Sequence, residues 1–250
     1  MNNAVHSWRR LNIYLVAVVV FCGYSNIFAQ AQDIQVVIEN DGWKLVGNLL
    51  RPKSKKMVPA VVLLNKANGR RSAYEKMARH LAKNGIASLR IDLRAHGESI
   101  NKGKFGPPFG ADEKMRALLV GSDTDVTVAV NYLKKLKGID PNRIGLVGAS
   151  YSGEEMAISA RKNGYGKAYV ALSPGSFGEE SLNSIDSSTA SWLFITSAEE
   201  RFLKGFLSTV RQKSKTAQTM EVAGDKHATD ILDSNSELAE MLAVWFKYRL

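Results

Sequence analysis

Two kinds of hydrophobic pattern alternate along most of this chain. The first is a short run of apolar residues, as in Pro59–Leu64, which is typical of a strand buried on both faces of a sheet. Comparable runs predict further strands at Ile86–Ile91, Arg143–Val147, Ala168–Leu172 and Trp192–Thr196. Nearer the start, Gln35–Ile38 and Trp43–Leu50 alternate well enough to predict two strands joined by a turn at residues 40–42.

The second pattern places apolar residues three and four positions apart, which is the period of one helical face. It is clearest at Tyr74, Met77, Ala78, Leu81 and Ala82. A capping-box pattern, Ser72 to Glu75, predicts the start of that helix, and Ser234 to Glu237 predicts the start of a last one. Similar spacing predicts helices around residues 126–133 and 154–161. The alternation of strand and helix predicts an α/β fold, with a mostly parallel central sheet covered by helices on both faces.

One segment breaks this alternation. Ile100–Gly121 is rich in glycine and proline and is the longest irregular stretch, so it is a candidate flap over a site. Between the strands ending at Leu172 and starting at Trp192 there are only about twenty residues, which leaves room for a minimal lid.

The composition narrows the class of protein. The chain has 250 residues, of which 45% are hydrophobic and 23% are charged, with a single cysteine. These values exclude a mostly disordered, collagen-like or disulfide-scaffold protein. The formal net charge of +10 raises the question of nucleic-acid binding, but the cationic cluster near the start of the chain has no interleaved aromatic residues. We therefore expect no nucleic-acid partner.

The first 31 residues have the features of a secretory signal peptide. Arg9 and Arg10 precede ten consecutive apolar residues, Ile13–Cys22, and small residues follow at Ala29-Gln30-Ala31. The apolar run is shorter than the ~20 residues that span a bilayer, so we expect no permanent membrane span. The bulky Phe21 fits poorly with a lipid-attachment site at Cys22. The sequence thus predicts a signal peptide at 1–31, a single domain at 32–250, and an exported protein, periplasmic or secreted.

Removal of this leader changes the candidate chemistry. The charge falls to +8, the only cysteine is lost, and the histidines that remain are His80, His96 and His227. A thiol nucleophile and a cysteine-based metal site are then excluded, and we expect no metal site and no cofactor.

The most informative motif is Arg143–Glu154, RIGLVGASYSGE. It predicts a buried strand, a tight turn of small residues and a helix, with Ser150 on the turn. A serine on such a turn presents its hydroxyl above the sheet, and the helix N-terminus beneath favours developing negative charge.

Together with this motif, several blocks resemble the α/β-hydrolases in their order along the chain. The blocks are PAVVLLNKANG, GIASLRIDLRAHGES, RIGLVGASYSGE, WLFITSAEERF and VAGDKHATDIL. The chain is similar to the small esterase, dienelactone-hydrolase and serine-aminopeptidase-like members. The resemblance covers nearly all of 32–250 and implies the α/β-hydrolase fold and a serine hydrolase.

The resemblance also implies a set of site residues. Ser150 is the nucleophile, His227 in the loop after the last strand is the base, and Glu200 is the acid that orients the base. Glu199 is adjacent, so the choice between the two glutamates stays open. His96 lies in a loop that is mainly structural in the family, and His80 is expected on the surface of a helix.

The predicted oxyanion hole departs from the family pattern. The family commonly has His-Gly after its third strand, where this chain has Asn65-Lys66. By that match the backbone N–H groups of Ala67 and Tyr151 are the donors, and backbone donors tolerate side-chain changes. A second departure is Ser152, which occupies a position that is normally glycine. Lys66 suggests a subsite for an anionic substrate; the alternative is an ammonium group that is merely solvated.

The resulting hypothesis is an exported serine hydrolase that cleaves an ester, or a related acyl bond, of a small-molecule substrate through an acyl-enzyme on Ser150. Two alternatives stay open at this stage. A peptidase or amidase uses the same three residues, and a non-catalytic binding protein can be built on a hydrolase scaffold.

Overall fold

The computed structural model describes residues 32–107, 112–175 and 177–250. The predicted leader at 1–31 lies outside these residues. The strands are β1 (Gln32–Asn40), β2 (Trp43–Arg51), β3 (Val58–Leu64), β4 (Ala87–Ile91), β5 (Ile139–Ala149), β6 (Ala168–Leu172), β7 (Ser191–Ser197) and β8 (Gln218–Val222). They form one sheet in the order β1-β2-β4-β3-β5-β6-β7-β8.

The direction of the strands determines where polar side chains gather. β2 is antiparallel to β1 and to β4, whereas β4, β3, β5, β6, β7 and β8 are all parallel to their neighbours in that order. The carboxyl ends of these six strands therefore meet at one edge of the sheet. In open α/β sheets this is the edge at which ligands bind.

Helices cover both faces of the sheet. They are α1 (Glu75–Lys83), α2 (Glu113–Ala117), α3 (Ser122–Lys135), α4 (Tyr151–Asn163), α5 (Glu179–Ile185), α6 (Phe206–Lys213), α7 (Asp230–Ser234) and α8 (Leu238–Arg249). Apolar residues of α3, α4, α5 and α6 pack on one face, and those of α1, α7 and α8 pack on the other. This is the predicted α/β-hydrolase architecture. No helix among the described residues combines the length and apolar character that crossing a bilayer requires.

Both predicted capping boxes are wrong. The chain coils as a 3₁₀ helix over Arg71–Tyr74 before α1 begins, so Ser72 lies inside a turn and caps nothing. The Asp92 carboxylate accepts from the N–H of Arg71 at 2.6 Å and fixes this entry to the helix. Ser234 is the last residue of α7, where its hydroxyl donates to the carbonyl of Ile231. Local serine bonds of this kind compete with capping.

Other differences lie where the hydrophobic pattern is weak. β5 begins at Ile139, four residues before the predicted start. Residues 140–143 are mostly polar and at least partly exposed, so the sequence pattern does not show this end of the strand. The edge strand β8 and the short helices α2, α5, α6 and α7 were not predicted. In β8, Gln218, Thr219 and Glu221 interrupt the apolar residues, so this edge strand lacks the continuous apolar run of the central strands. Within the predicted flap, residues 108–111 lie outside the described residues.

Candidate active site

Ser150 lies between the end of β5 and the first residue of α4. Its backbone has φ 55° and ψ −125°, a region that side-chain-bearing residues seldom occupy. The N–H of Ser150 donates to the carbonyl of Leu172 at 2.9 Å, which fixes the turn to β6. Gly148 is required on the strand side, because a Cβ atom there would lie 2.6 Å from the carbonyl oxygen of Ser152. The turn thus holds a strained serine at the carboxyl edge of the sheet.

His227 follows β8 and meets the serine hydroxyl. Its Nε2 lies 2.9 Å from Oγ of Ser150, and its Nδ1 contacts Oε1 of Glu200. A carboxylate accepts, so Nδ1 carries the proton and Nε2 is left to accept from the serine. The ring is 29% exposed, whereas the Glu200 side chain is 1% exposed. Three residues that are far apart in the sequence therefore form one hydrogen-bonded chain.

The two adjacent glutamates have different environments. Glu200 is buried, and its second oxygen accepts from Oγ of Ser173 at 2.7 Å. Glu199 is exposed to solvent. The hydrogen-bonded chain therefore includes Glu200 and leaves Glu199 outside. Sequence reasoning missed Ser173, although a polar residue directly after the buried strand β6 is a signal that would have found it.

Ser152 occupies the glycine position of the motif, and its hydroxyl makes three polar contacts. The side chain is buried, accepts from the N–H of Ala149 at 2.8 Å and contacts the carbonyl oxygens of Ala149 and Leu64 at 2.9 and 3.3 Å. These partners offset the cost of removing the hydroxyl from water. This departure from the family pattern joins the turn to the end of β3.

The two predicted oxyanion-hole donors lie in the loop after β3 and at the start of α4. Tyr151 is the first residue of α4, so its N–H has no partner within the helix. Ala67 follows β3, in a loop that Asn65 fixes: the buried amide of Asn65 donates to the carbonyl of Lys66 at 2.8 Å and accepts from the N–H of Leu93 at 2.8 Å. The asparagine in place of the family's histidine thus ties the loop after β3 to the loop after β4.

Lys66 is paired with a carboxylate. Its Nζ lies 2.6 Å from Oδ2 of Asp230, at the start of α7. The ammonium therefore has a specific carboxylate partner in addition to its contact with solvent. The anionic-substrate subsite stays a prediction, and the Asp230 carboxylate offsets part of the charge on which it depends.

His96 has a different environment, away from this hydrogen-bonded chain. Its Nδ1 donates to the carbonyl of Arg94 at 2.8 Å, and its buried Nε2 has no hydrogen-bond partner among the described residues. The ring stacks on Tyr151 at 5.3 Å and contacts Phe105 at 5.4 Å. Burial lowers the pKa of His96, so the imidazole stays neutral. His80 lies on α1, with its Nδ1 4.0 Å from the carboxylate of Glu240.

A cluster of carboxylates lies behind Tyr151. Burial, together with the negative charges of Asp123 and Glu154, raises the pKa of Glu155 to about 7. Asp125 is buried, but the Arg94 guanidinium binds both of its oxygens, at 2.8 and 2.6 Å. Burial also raises the pKa of the Tyr151 hydroxyl.

The sequence pattern of the Dienelactone hydrolase family matches residues 45–228. No curated protein sequence matches the chain significantly. Among solved structures, a dienelactone hydrolase from Anabaena variabilis is 16% identical, with 88% of this chain and 99% of that chain covered and a TM-score of 0.66. Est1E from Butyrivibrio proteoclasticus is 18% identical, with 85% and 98% covered and a TM-score of 0.64.

An esterase from Pyrococcus furiosus is 18% identical, with 88% of this chain and 91% of that chain covered and a TM-score of 0.65. At these identities the structural likeness establishes the fold, and the family match supports hydrolase activity. The chain therefore belongs to the dienelactone hydrolase family, within the α/β-hydrolase superfamily.

Proposed function

We propose that this protein is an exported serine esterase that hydrolyses a small carboxylic ester through an acyl-enzyme on Ser150. The observation that carries the proposal is the hydrogen-bonded chain from Ser150 through His227 to Glu200. A serine hydroxyl is a weak nucleophile until a base accepts its proton, and His227 Nε2 lies at hydrogen-bond distance from it. The family match and the esterase neighbours favour an ester over an amide.

The first half of the reaction forms the acyl-enzyme. Ser150 Oγ attacks the ester carbonyl carbon while its proton passes to His227 Nε2. Glu200 holds the imidazole by its Nδ1–H and stabilises the imidazolium that forms. The N–H groups of Ala67 and Tyr151 donate to the oxygen that becomes negative, and the N-terminus of α4 adds a favourable dipole. The C–O bond to the alcohol then breaks, and the alcohol oxygen takes the proton from His227.

The second half returns the enzyme to its starting state. Water gives a proton to His227 Nε2 as its oxygen attacks the acyl carbon. The same two N–H groups stabilise the second tetrahedral intermediate, and the acyl C–O bond to Ser150 breaks as Oγ takes the proton back. One carboxylic acid and one alcohol are released for each water consumed.

The direct test of the nucleophile is covalent labelling. A fluorophosphonate probe should label the wild-type protein at Ser150, and it should fail to label Ser150→Ala. The side chain of Ser152, two residues away, is occupied by three contacts, so Ser152→Ala is the matched serine variant and should still be labelled. Absence of label on the wild type, under conditions that label a known serine hydrolase, would contradict the proposal and favour a binding protein on a hydrolase scaffold.

A rate assay separates esterase from amidase. Matched esters and amides of one acyl group should show ester hydrolysis with a much larger kcat/KM, and Ser150→Ala should lower the ester rate by about 10⁴-fold or more. A larger kcat/KM for the amide would reassign the protein as a peptidase or amidase. The triad chemistry is the same in both cases.

Export is proposed from residues 1–31 alone. The basic start, the ten-residue apolar run and the small residues at 29–31 support removal of a leader after Ala31. Expression of the full chain in a Gram-negative host, with mass spectrometry of the protein from each cell fraction, tests this step. The mature N-terminus should be Gln32 in the periplasm or medium. An intact leader in the cytoplasmic fraction would contradict export.

A further inference from the structure

An open cleft of about 680 Å³ lies beside the proposed catalytic residues. It is bounded by the loop that follows β6 and by the loop that follows β7. The residues that line it are Glu154, Pro174, Gly175, Phe177, Gly178, Phe202, Leu203, Lys204, Gly205, Phe206 and Thr209. Both loops leave the carboxyl edge of the sheet, which is also where Ser150 and His227 lie.

The cleft reaches the reacting atoms at two points. A Cβ atom on Gly175 would lie 3.5 Å from Oγ of Ser150, so the absence of a side chain there leaves space directly beside the nucleophile. On the other side, the ring of Phe202 meets the ring of His227 edge to face, at 5.1 Å. A group bound in this cleft is therefore adjacent to both the serine and the histidine.

The aromatic wall of the cleft is held by the core behind it. Phe177 packs edge to face on Phe194 at 5.1 Å and on Trp192 at 6.0 Å, and Phe206 meets Phe194 at 5.9 Å. These contacts fix two rings as a rigid apolar surface. Phe202, in contrast, is 68% exposed. Its ring is a large apolar surface that lies next to a reactive centre and faces solvent.

The carboxylate that lines the cleft already has hydrogen-bond partners. The Glu154 carboxylate accepts from the N–H of Gly178 at 3.0 Å and from Oγ of Ser181 at 2.9 Å. It therefore holds the loop after β6 in place and does not require a polar ligand. Lys204 and Thr209 are exposed to solvent at the rim. The apolar side chains that the cleft offers a substrate are three phenylalanines, a leucine and a proline.

We propose that this aromatic cleft binds a flat, apolar ring of the ester substrate, and so selects esters with an aromatic group on the acyl or the alcohol side. The inference rests on the proposed esterase function. A ring in the cleft stacks against phenylalanine faces and covers Phe202, and these contacts lower the free energy of the transition state together with that of the bound substrate. Such contacts raise kcat/KM for aromatic esters over small aliphatic ones.

The experiment compares three classes of ester of similar intrinsic reactivity. Ethyl acetate is the small substrate; ethyl phenylacetate and benzyl acetate carry a ring on the acyl and on the alcohol side. Ethyl cyclohexylacetate and cyclohexylmethyl acetate have the same bulk without a flat ring. We expect kcat/KM for at least one aromatic ester to exceed that for ethyl acetate by about tenfold or more, and to exceed that for its cyclohexyl partner.

Two variants probe the cleft, and one serves as control. Phe202→Ala removes an exposed ring, so the protein should stay folded while the ratio of aromatic to aliphatic kcat/KM falls about three- to tenfold. Gly175→Val fills the mouth beside Ser150 and should lower the same ratio. Tyr248→Ala, an 82% exposed aromatic on α8, should leave the ratio unchanged.

The outcomes separate the two proposals. Equal kcat/KM for aromatic, cyclohexyl and small esters, or a loss in Phe202→Ala that is the same for every ester, would overturn the cleft assignment and leave the esterase proposal intact. A protein that hydrolyses none of the esters and takes no fluorophosphonate label would overturn both. The side of the ester that shows the preference identifies whether the cleft binds the acyl or the alcohol group.

Discussion

The regions around His227 and His96 show how one residue type takes two roles in the same protein. The ring of His227 is partly exposed, and each of its nitrogens faces a group with which it can exchange or share a proton. The ring of His96 is buried between Tyr151 and Phe105, with one nitrogen bonded to a backbone carbonyl and the other without a partner in the part of the chain that the structure describes. A base needs a proton donor within reach and a group that stabilises its charged form. His227 has both, whereas the surroundings of His96 keep it neutral.

The largest expected effect separates these two histidines. His227→Ala should lower kcat for ester hydrolysis by about 10⁴-fold or more, because it removes the base. It should lower the free energy of unfolding by only about 1 kcal/mol, because the ring is partly exposed and the buried Glu200 keeps its bond from Ser173. His96→Ala should keep kcat within about tenfold, but it should lower the free energy of unfolding by about 2–3 kcal/mol, because it leaves a cavity between two rings. Steady-state kinetics and urea unfolding measure the two quantities. A collapse of kcat in a stably folded His96→Ala variant would break the comparison.

A second and smaller effect sharpens the role of the carboxylate beside His227. Glu200→Gln should lower kcat by about 10³-fold, because an amide in place of the carboxylate neither fixes the Nδ1–H tautomer nor stabilises the imidazolium. Glu199→Gln is the matched control one residue away, with the same change of side chain at an exposed position. Its kcat should stay within about twofold of the wild type. An equal loss of kcat in the two variants would show that the buried Glu200 contributes no more to catalysis than the exposed Glu199.

The smallest effect concerns the carboxylates behind Tyr151, and it appears only in how the free energy of unfolding depends on pH. The pKa of Glu155 rises from 4.5 to about 7 on folding, so the folded state holds this proton more tightly than the unfolded state does. The carboxylate therefore costs stability as pH rises from about 4.5 to 7, and the full cost remains above pH 7. Glu155→Gln should raise the free energy of unfolding by about 1–2 kcal/mol at pH 8 and leave it unchanged at pH 4.

Chemical denaturation of both proteins at several pH values measures this difference. Burial lowers the pKa of His96, so this histidine makes the folded protein less stable as the pH falls below the ordinary pKa of histidine. This effect is the same in the wild type and in Glu155→Gln. Subtracting the two unfolding free energies at each pH removes the contribution of His96. A gain at pH 4 equal to that at pH 8 would show that the effect of Glu155→Gln comes from packing and not from charge.

The central strands and the nucleophile turn were predictable from the sequence, because their signals are strong and local. β6 occupies the predicted residues Ala168–Leu172, since a run of apolar residues between polar ends has few alternatives in an α/β fold. The geometry at Ser150 follows from small residues in a short motif, and the placement of His227 and Glu200 followed from family resemblance.

What the sequence did not reveal depends on contacts between distant residues. The pair between Lys66 and Asp230 and the bond from Ser173 to Glu200 join loops whose proximity arises only when the sheet forms. The edge strand β8 has five residues and the helix α6 has eight, and both are largely polar, so neither repeats an apolar period often enough to be recognised. The cleft at Phe202 was missed for the same reason: an exposed phenylalanine in a loop has no periodic neighbours that mark it.

The hydroxyl of Ser152 has a consequence for the local unfolding of the protein. It holds the N–H of Ala149 inside the sheet, at the junction of β3 and β5, one residue before the strained Ser150. In hydrogen–deuterium exchange this amide should belong to the most slowly exchanging group, because Ala149 and Ser152 are both buried and bonded to each other. A glycine at position 152 would leave the amide without this partner. With Ser152 in place, the segment that carries the nucleophile is among the last to unfold, whereas the amides of the loops that face the substrate exchange first.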